Sequence, residues 1–129
     1  PQVDIARSQV NPQPNTLLNP VSVSSDGQRL LVSDLGHNRV LIWNSIPTSN
    51  GAPADIVVGQ PDMTSAVPNN TSKLCAATGE DSEGSPIYPG RCGASINFPR
   101  YALSDGTRLF IADGGNDRVL VFNQIPTSN

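Results

Sequence analysis

The sequence predicts an all-β protein built from repeated units of four short antiparallel strands. Three observations predict it. First, the chain contains a duplication. Leu17–Asn50 aligns without a gap on Ile96–Asn129 at an offset of 79, and 17 of those 34 positions are identical. A weaker echo sets Val3–Asn11 (VDIARSQVN) on Ala54–Asp62 (ADIVVGQPD) at an offset of 51; the 28-residue difference between the offsets measures an insertion in the second copy. In such repeats each unit buries its apolar face only against its neighbours. Second, 12 Pro and 11 Gly in 129 residues, with 36% hydrophobic residues, suit short strands joined by turns. Third, no stretch keeps a 3.6-residue apolar period long enough for a packed helix.

The elements follow in order. Val3–Arg7 reads as an outer strand of a preceding unit. Asn19-Pro20 leads into a strand over Val21–Ser24, and Ser25-Asp26-Gly27 forms a tight turn in which Gly27 supplies positive φ. Arg29–Ser33 is the second strand, Asp34–Asn38 the second turn and Arg39–Trp43 the third strand. A loop over Asn44–Gly51 leads to a fourth strand, Asp55–Val58. The second copy repeats this: strand Tyr101–Leu103, turn Ser104–Gly106, strand Arg108–Ala112, turn Asp113–Asp117, strand Arg118–Phe122. Units of this kind are expected to stack radially as β-propeller blades. A β-sandwich is the alternative, against which the strict repetition and matched turn chemistry speak.

The string Asn97-Phe98-Pro99 … Asp105-Gly106 … Leu109-Phe110-Ile111-Ala112-Asp113-Gly114-Gly115-Asn116-Asp117-Arg118-Val119-Leu120-Val121-Phe122 resembles the NHL-repeat family. So does Asn19-Pro20 … Asp26-Gly27 … Val32-Ser33-Asp34-Leu35-Gly36-His37-Asn38-Arg39-Val40, with His37 where the family usually has Asn. Val58-Gly59-Gln60-Pro61-Asp62 resembles a motif common in bacterial members. The resemblance covers most of the chain outside the insertion. It implies a β-propeller, most often six-bladed, usually a binding or scaffold module.

Residues 1–11 are then the outer strand of a preceding blade, 17–62 a complete blade, 63–95 the insertion with both cysteines, and 96–129 the inner strands of the next blade. Two blades cannot close a ring, since propellers need about four to eight. Two solutions are expected: further blades in the same parent chain, or a head-to-tail homo-oligomer in which three copies make six blades. The longer parent is favoured because the copies differ at half their aligned positions and one carries a large insertion.

Asp34 and Arg39 are five residues apart across a turn, as are Asp113 and Arg118. The spacing lets each carboxylate meet the turn's backbone N–H groups and the guanidinium together, a structural turn ion pair. A ligand or metal role is the alternative. Gly36 and Gly115 are expected to supply a turn conformation that a β-carbon would disfavour. Cys75 and Cys92, inside a Gly/Ser/Pro-rich insertion and without a CxxC motif, suit a disulfide staple, with free thiols as the alternative. A disulfide implies an oxidising compartment, so the expected location is secreted, periplasmic or cell surface. His37, the one histidine, reads as an exposed turn residue. Asn69 and Asn70 open overlapping N-x-S/T sequons, and Glu80, Asp81 and Glu83 read as a solvated acidic loop.

Net charge is −3 and the eight Lys/Arg are scattered, which argues against nucleic-acid binding. No apolar run is long enough for a membrane helix. Pro1 is no translation start, so the lack of a signal peptide says nothing about secretion. No nucleophile elbow, HExxH, P-loop or dinucleotide fingerprint is present. The expectation is a non-catalytic binding or scaffold module with a protein or small-ligand partner and no cofactor. Calcium is the ion held open. One alternative is a divalent-metal-dependent lactonase- or lyase-like propeller enzyme. Another is a structural component of an extracellular assembly, exposed through the insertion.

Overall fold

A computed structural model describes residues 11–129; the expected outer strand Val3–Arg7 lies outside the described residues. The strands are β1 (Pro20–Ser25), β2 (Leu30–Asp34), β3 (Arg39–Trp43), β4 (Ile56–Val58), β5 (Gly79–Glu80), β6 (Pro86–Ile87), β7 (Pro99–Ser104), β8 (Leu109–Asp113) and β9 (Arg118–Phe122). They form a four-stranded sheet in the order β1-β2-β3-β4, a three-stranded sheet β7-β8-β9, and the hairpin β5-β6. Every pairing is antiparallel. Among the described residues the fold is all-β apart from one four-residue helix, α1 (Thr71–Leu74), and two 3-10 turns, Leu35–His37 and Gly114–Asn116. Sequence periodicity gave no sign of α1, which is too short to show one. No described helix is long and apolar enough to cross a membrane.

The duplication is reproduced in register. Ser22↔Ser33 to Ser25↔Leu30 matches Tyr101↔Ala112 to Ser104↔Leu109, and both ladders shift after their proline, Pro20 or Pro99. The residue before each proline has positive φ, 53° at Asn19 and 47° at Phe98. Proline contributes no N–H to the ladder, so the irregularity falls where no bond is lost. Gly27 and Gly106 take φ of 92° and 93° in the β1-β2 and β7-β8 turns. Their neighbouring aspartates, Asp26 and Asp105, accept the N–H groups of Gln28 and Arg29, and of Thr107 and Arg108.

The first sheet lies face to face with the second. Leu31, Val40, Ile42, Ile56 and Val58 pack against Ile96, Ala102, Leu109 and Ile111, with Leu120, Phe122 and Ile125 at the margin. The other face of the first sheet carries a second cluster, including Leu17, Val32, Leu41 and Trp43. All five residues of β3 (RVLIW) are therefore buried, whereas β9 (RVLVF) alternates, with Val119 and Val121 exposed. The two strands share their first three residues and stay apolar at the last two, Ile42-Trp43 and Val121-Phe122; the larger difference is in the neighbours.

Gly36 and Gly115 need a different explanation from the expected one. Neither has positive φ; that conformation belongs to Asn38 (53°) and Asp117 (52°). The glycines are required by close approach. A Cβ at Gly36 would stand 2.5 Å from the Leu18 carbonyl oxygen, and one at Gly115 2.7 Å from that of Asn97. Those carbonyls accept the Gly36 and Gly115 N–H groups at 2.8 Å.

Candidate functional site

The end of β2 and the start of β3 place Asp34 and Arg39 opposite each other. Arg39 Nε donates to Asp34 Oδ2 at 2.9 Å, and both side chains are fully buried. The second oxygen, Oδ1, accepts the Leu18 N–H at 2.7 Å. That donor lies 16 residues upstream, not in the turn itself as the spacing suggested. The rest of the guanidinium fills a carbonyl cradle: Nη2 donates to Gln13 (3.0 Å) and Thr16 (2.8 Å), and Nη1 to Met63 (2.6 Å). Buried charge is tolerable only when paired and fully bonded in this way.

The second copy repeats the arrangement except for the Nη1 bond to Met63. Arg118 Nε donates to Asp113 Oδ2 at 2.8 Å, Asp113 Oδ1 accepts the Asn97 N–H at 2.8 Å, and Arg118 Nη2 donates to the carbonyls of Cys92 and Ser95. Gln13 and Thr16 therefore correspond to Cys92 and Ser95. The turns that carry them also correspond: Gln13 N–H donates to Thr16 Oγ1 and Cys92 N–H to Ser95 Oγ. The repeat thus begins four residues before the aligned segment that starts at Leu17. The one sequence signal was a hydroxyl at the same place, Thr16 and Ser95.

His37 corrects the expectation of an exposed residue: it is 1% exposed. Its Nδ1 lies 2.8 Å from Asp34 Oδ2, a contact in which a carboxylate can only accept, so Nδ1 donates. In the other copy Asn116 Nδ2 donates to Asp113 Oδ2 at 2.7 Å. The 3-10 turn that follows each aspartate delivers both side chains to the same spot. Histidine here does the work of the asparagine.

Cys75 and Cys92 form a disulfide with Cα atoms 6.0 Å apart. Cys75 caps the end of α1, its N–H donating to the Thr71 carbonyl. Cys92 supplies a carbonyl to Arg118, so the disulfide ties the insertion directly to the arginine cradle. The sequon asparagines turn inward. Asn69 and Asn116 exchange amide hydrogen bonds of 2.9 and 2.8 Å, and Asn70 reaches Gln60 Oε1 at 3.4 Å. Gln60, 1% exposed, donates to the carbonyls of Asn38 and Val67. Asn38 in turn accepts the Phe98 N–H at 3.1 Å. A polar seam therefore joins the insertion to both sheets, and in the sequence Gln60 stands out only as part of the Val58–Asp62 motif. Asp81 closes the β5-β6 hairpin by accepting the N–H groups of Glu83 and Ser85.

Among the described residues no three His, Cys, Asp or Glu side chains gather in a set that could hold a metal ion. The repeat-equivalent acids are already committed to backbone N–H groups and guanidinium groups. Burial works to raise the Asp26 carboxyl, but the Arg29 and Gln28 N–H groups, the Ser104 hydroxyl and the Arg29 side chain outweigh it and hold it at about 2. The N–H groups of Arg108 and Thr107 hold the Asp105 carboxyl at about 2 as well. No family model, curated protein or solved structure matches the chain.

Proposed function

We propose that this chain is part of an NHL-like β-propeller that serves as a non-catalytic binding or scaffold module outside the cytoplasm. The observation that carries the reading is the repetition of the Asp–Arg lock, with its Nε, Nη2 and upstream N–H bonds, in both sheets. Asp34 and Asp113 hold arginines that gather carbonyls from turns far away in sequence. Each lock thereby fixes the inner turn of one sheet to the loop leading into it, which is what a stacked blade requires. Acids spent in this way serve the frame, and a repeated frame presents loops for recognition. The disulfide supports an oxidising compartment. The four-stranded and three-stranded sheets support blades; six as the blade number rests on the family resemblance alone.

Titration of the purified chain with Ca2+ and Zn2+ by calorimetry, followed by assay of each mixture on lactone and ester substrates, tests the non-catalytic part. The expected result is no stoichiometric ion and no turnover. A saturating ion accompanied by turnover would replace this reading with a metal-dependent enzyme.

A further inference from the structure

We infer that the two outward faces of this pair of sheets are complementary to each other, so that a second copy of the chain docks head to tail on either end. The inference rests on the stacking of repeat units put forward above and on nothing about a ligand. Its template is the interface inside the molecule. There, Leu31, Val40 and Ile42 of the first sheet meet Ala102, Leu109 and Ile111 of the second. The repeat offset carries the first set to Phe110, Val119 and Val121, on the outward face of the second sheet. It carries the second set back to Val23, Leu30 and Val32, on the outward face of the first.

Those counterparts are all apolar; Val32 is buried in the outer cluster at 6% exposure, Leu30 and Phe110 are half-buried, and the valines of the other strands are open. Val119 is 66% exposed, Val121 54% and Val23 64%. Val23, Leu30 and Val32 line a groove of about 420 Å³ with Leu17 and Pro20. Ile125 packs on the internal core, while its counterpart Ile46 stands 50% exposed.

The polar contacts have counterparts too. Across the internal interface Ser104 Oγ donates to Asp26 Oδ2 at 2.9 Å, and Asn38 Oδ1 accepts the Phe98 N–H. The equivalent pairs between copies are Ser25 with Asp105, and Asp117 with the Asn19 N–H. Asp117 retains the Oδ acceptor that Asn38 uses. The covered and uncovered members differ as a missing neighbour dictates: the Asp26 side chain is 3% exposed against 35% for Asp105. One face bearing the donors and the other the acceptors makes the contact heterologous, not two-fold symmetric.

Sedimentation velocity on the intact 129-residue chain and two variants tests this. Val23→Asp spoils one face and Val121→Asp the other, and both positions are exposed enough to leave the monomer folded, as circular dichroism will verify. Val119→Asp replaces Val121→Asp should that variant lose its strand signal. The wild type is expected to sediment above 13.6 kDa, each variant alone as monomer, and an equimolar mixture of the two as a dimer, because one spoiled and one intact face remain on each partner. A folded wild-type monomer at every soluble concentration overturns the inference. So does one variant that still self-associates, since that requires like faces to meet. Metal-dependent turnover in an associating wild type would instead defeat the functional reading and leave the docking intact.

Discussion

At the scale of single residues, the buried locks dominate. Asp113→Ala and Arg118→Ala should each destabilise the fold by about 3 kcal/mol, because the surviving charge, fully buried for Asp113 and largely buried for Arg118, is left without its partner. The double variant should cost less than the sum of the two, measured by urea denaturation; strictly additive losses would show that the two side chains do not interact. His37→Asn should retain most of the stability that His37→Ala loses, since Asn116 already makes the same bond to Asp113. Equal losses in the two variants would show that the shared contact is not what the position supplies. Asp26 sets a pH dependence. Its folded carboxyl sits at about 2, below the ordinary 3.8, so the unfolded chain takes up a proton first as pH falls. The stabilisation is complete above about pH 4 and is lost as pH falls through about 2. Asp26→Asn should therefore fall short of wild type at neutral pH and converge with it near pH 2. A gap that persists to that pH would mean the contribution is not electrostatic.

At the scale of elements, the strands were legible because turn residues and apolar runs recur at a fixed offset. Two copies of RLLVSDLGHNRVLIW-like text carry more information than one. What stayed hidden had physical causes. Sequence shows that a glycine is present at Gly36 and Gly115, but a close approach by a chain 18 residues away looks the same as a φ requirement. The turn at Gln13–Thr16 shares no identical residue with Cys92–Ser95, because its purpose is served by backbone carbonyls that any residue provides. A turn position implies an exposed His37, because turns usually lie at the surface; the buried Asp34 carboxylate that takes its Nδ1 cannot be seen from spacing. Gly115→Ala should cost about 1–3 kcal/mol through overpacking against Asn97, whereas Gly79→Ala, with nothing within 4 Å of the added atom, should be close to neutral. Thermal melts of the two variants compare them directly, and equal losses would sink the close-approach account.

For the whole molecule, the contrast between β3 and β9 shows how far the fold depends on neighbours. The same apolar strand is buried on both faces in one sheet and half open in the other. An antiparallel sheet with a polar outer face would alternate in sequence; these strands do not, and such runs signal burial on both sides. That property was present in the sequence, but the identity of the covering surface was not. Reducing the Cys75–Cys92 bond should lower stability by up to about 3 kcal/mol in the chain-entropy picture, with the larger effect in the second sheet because Cys92 helps hold Arg118. Hydrogen exchange with and without reductant would resolve it by strand; uniform loss of protection in both sheets would contradict the assignment.

The disulfide has one more consequence, for how this chain can change over generations. Every residue from Ala76 to Ile87 is exposed, and the segment leaves and rejoins the frame at two sulfurs bonded to each other. Its length and composition are thereby uncoupled from the repeat, much as a pendant is from its chain. Mutations there meet little purifying selection from folding, so novelty can accumulate in the hairpin at a rate the buried strands would never permit.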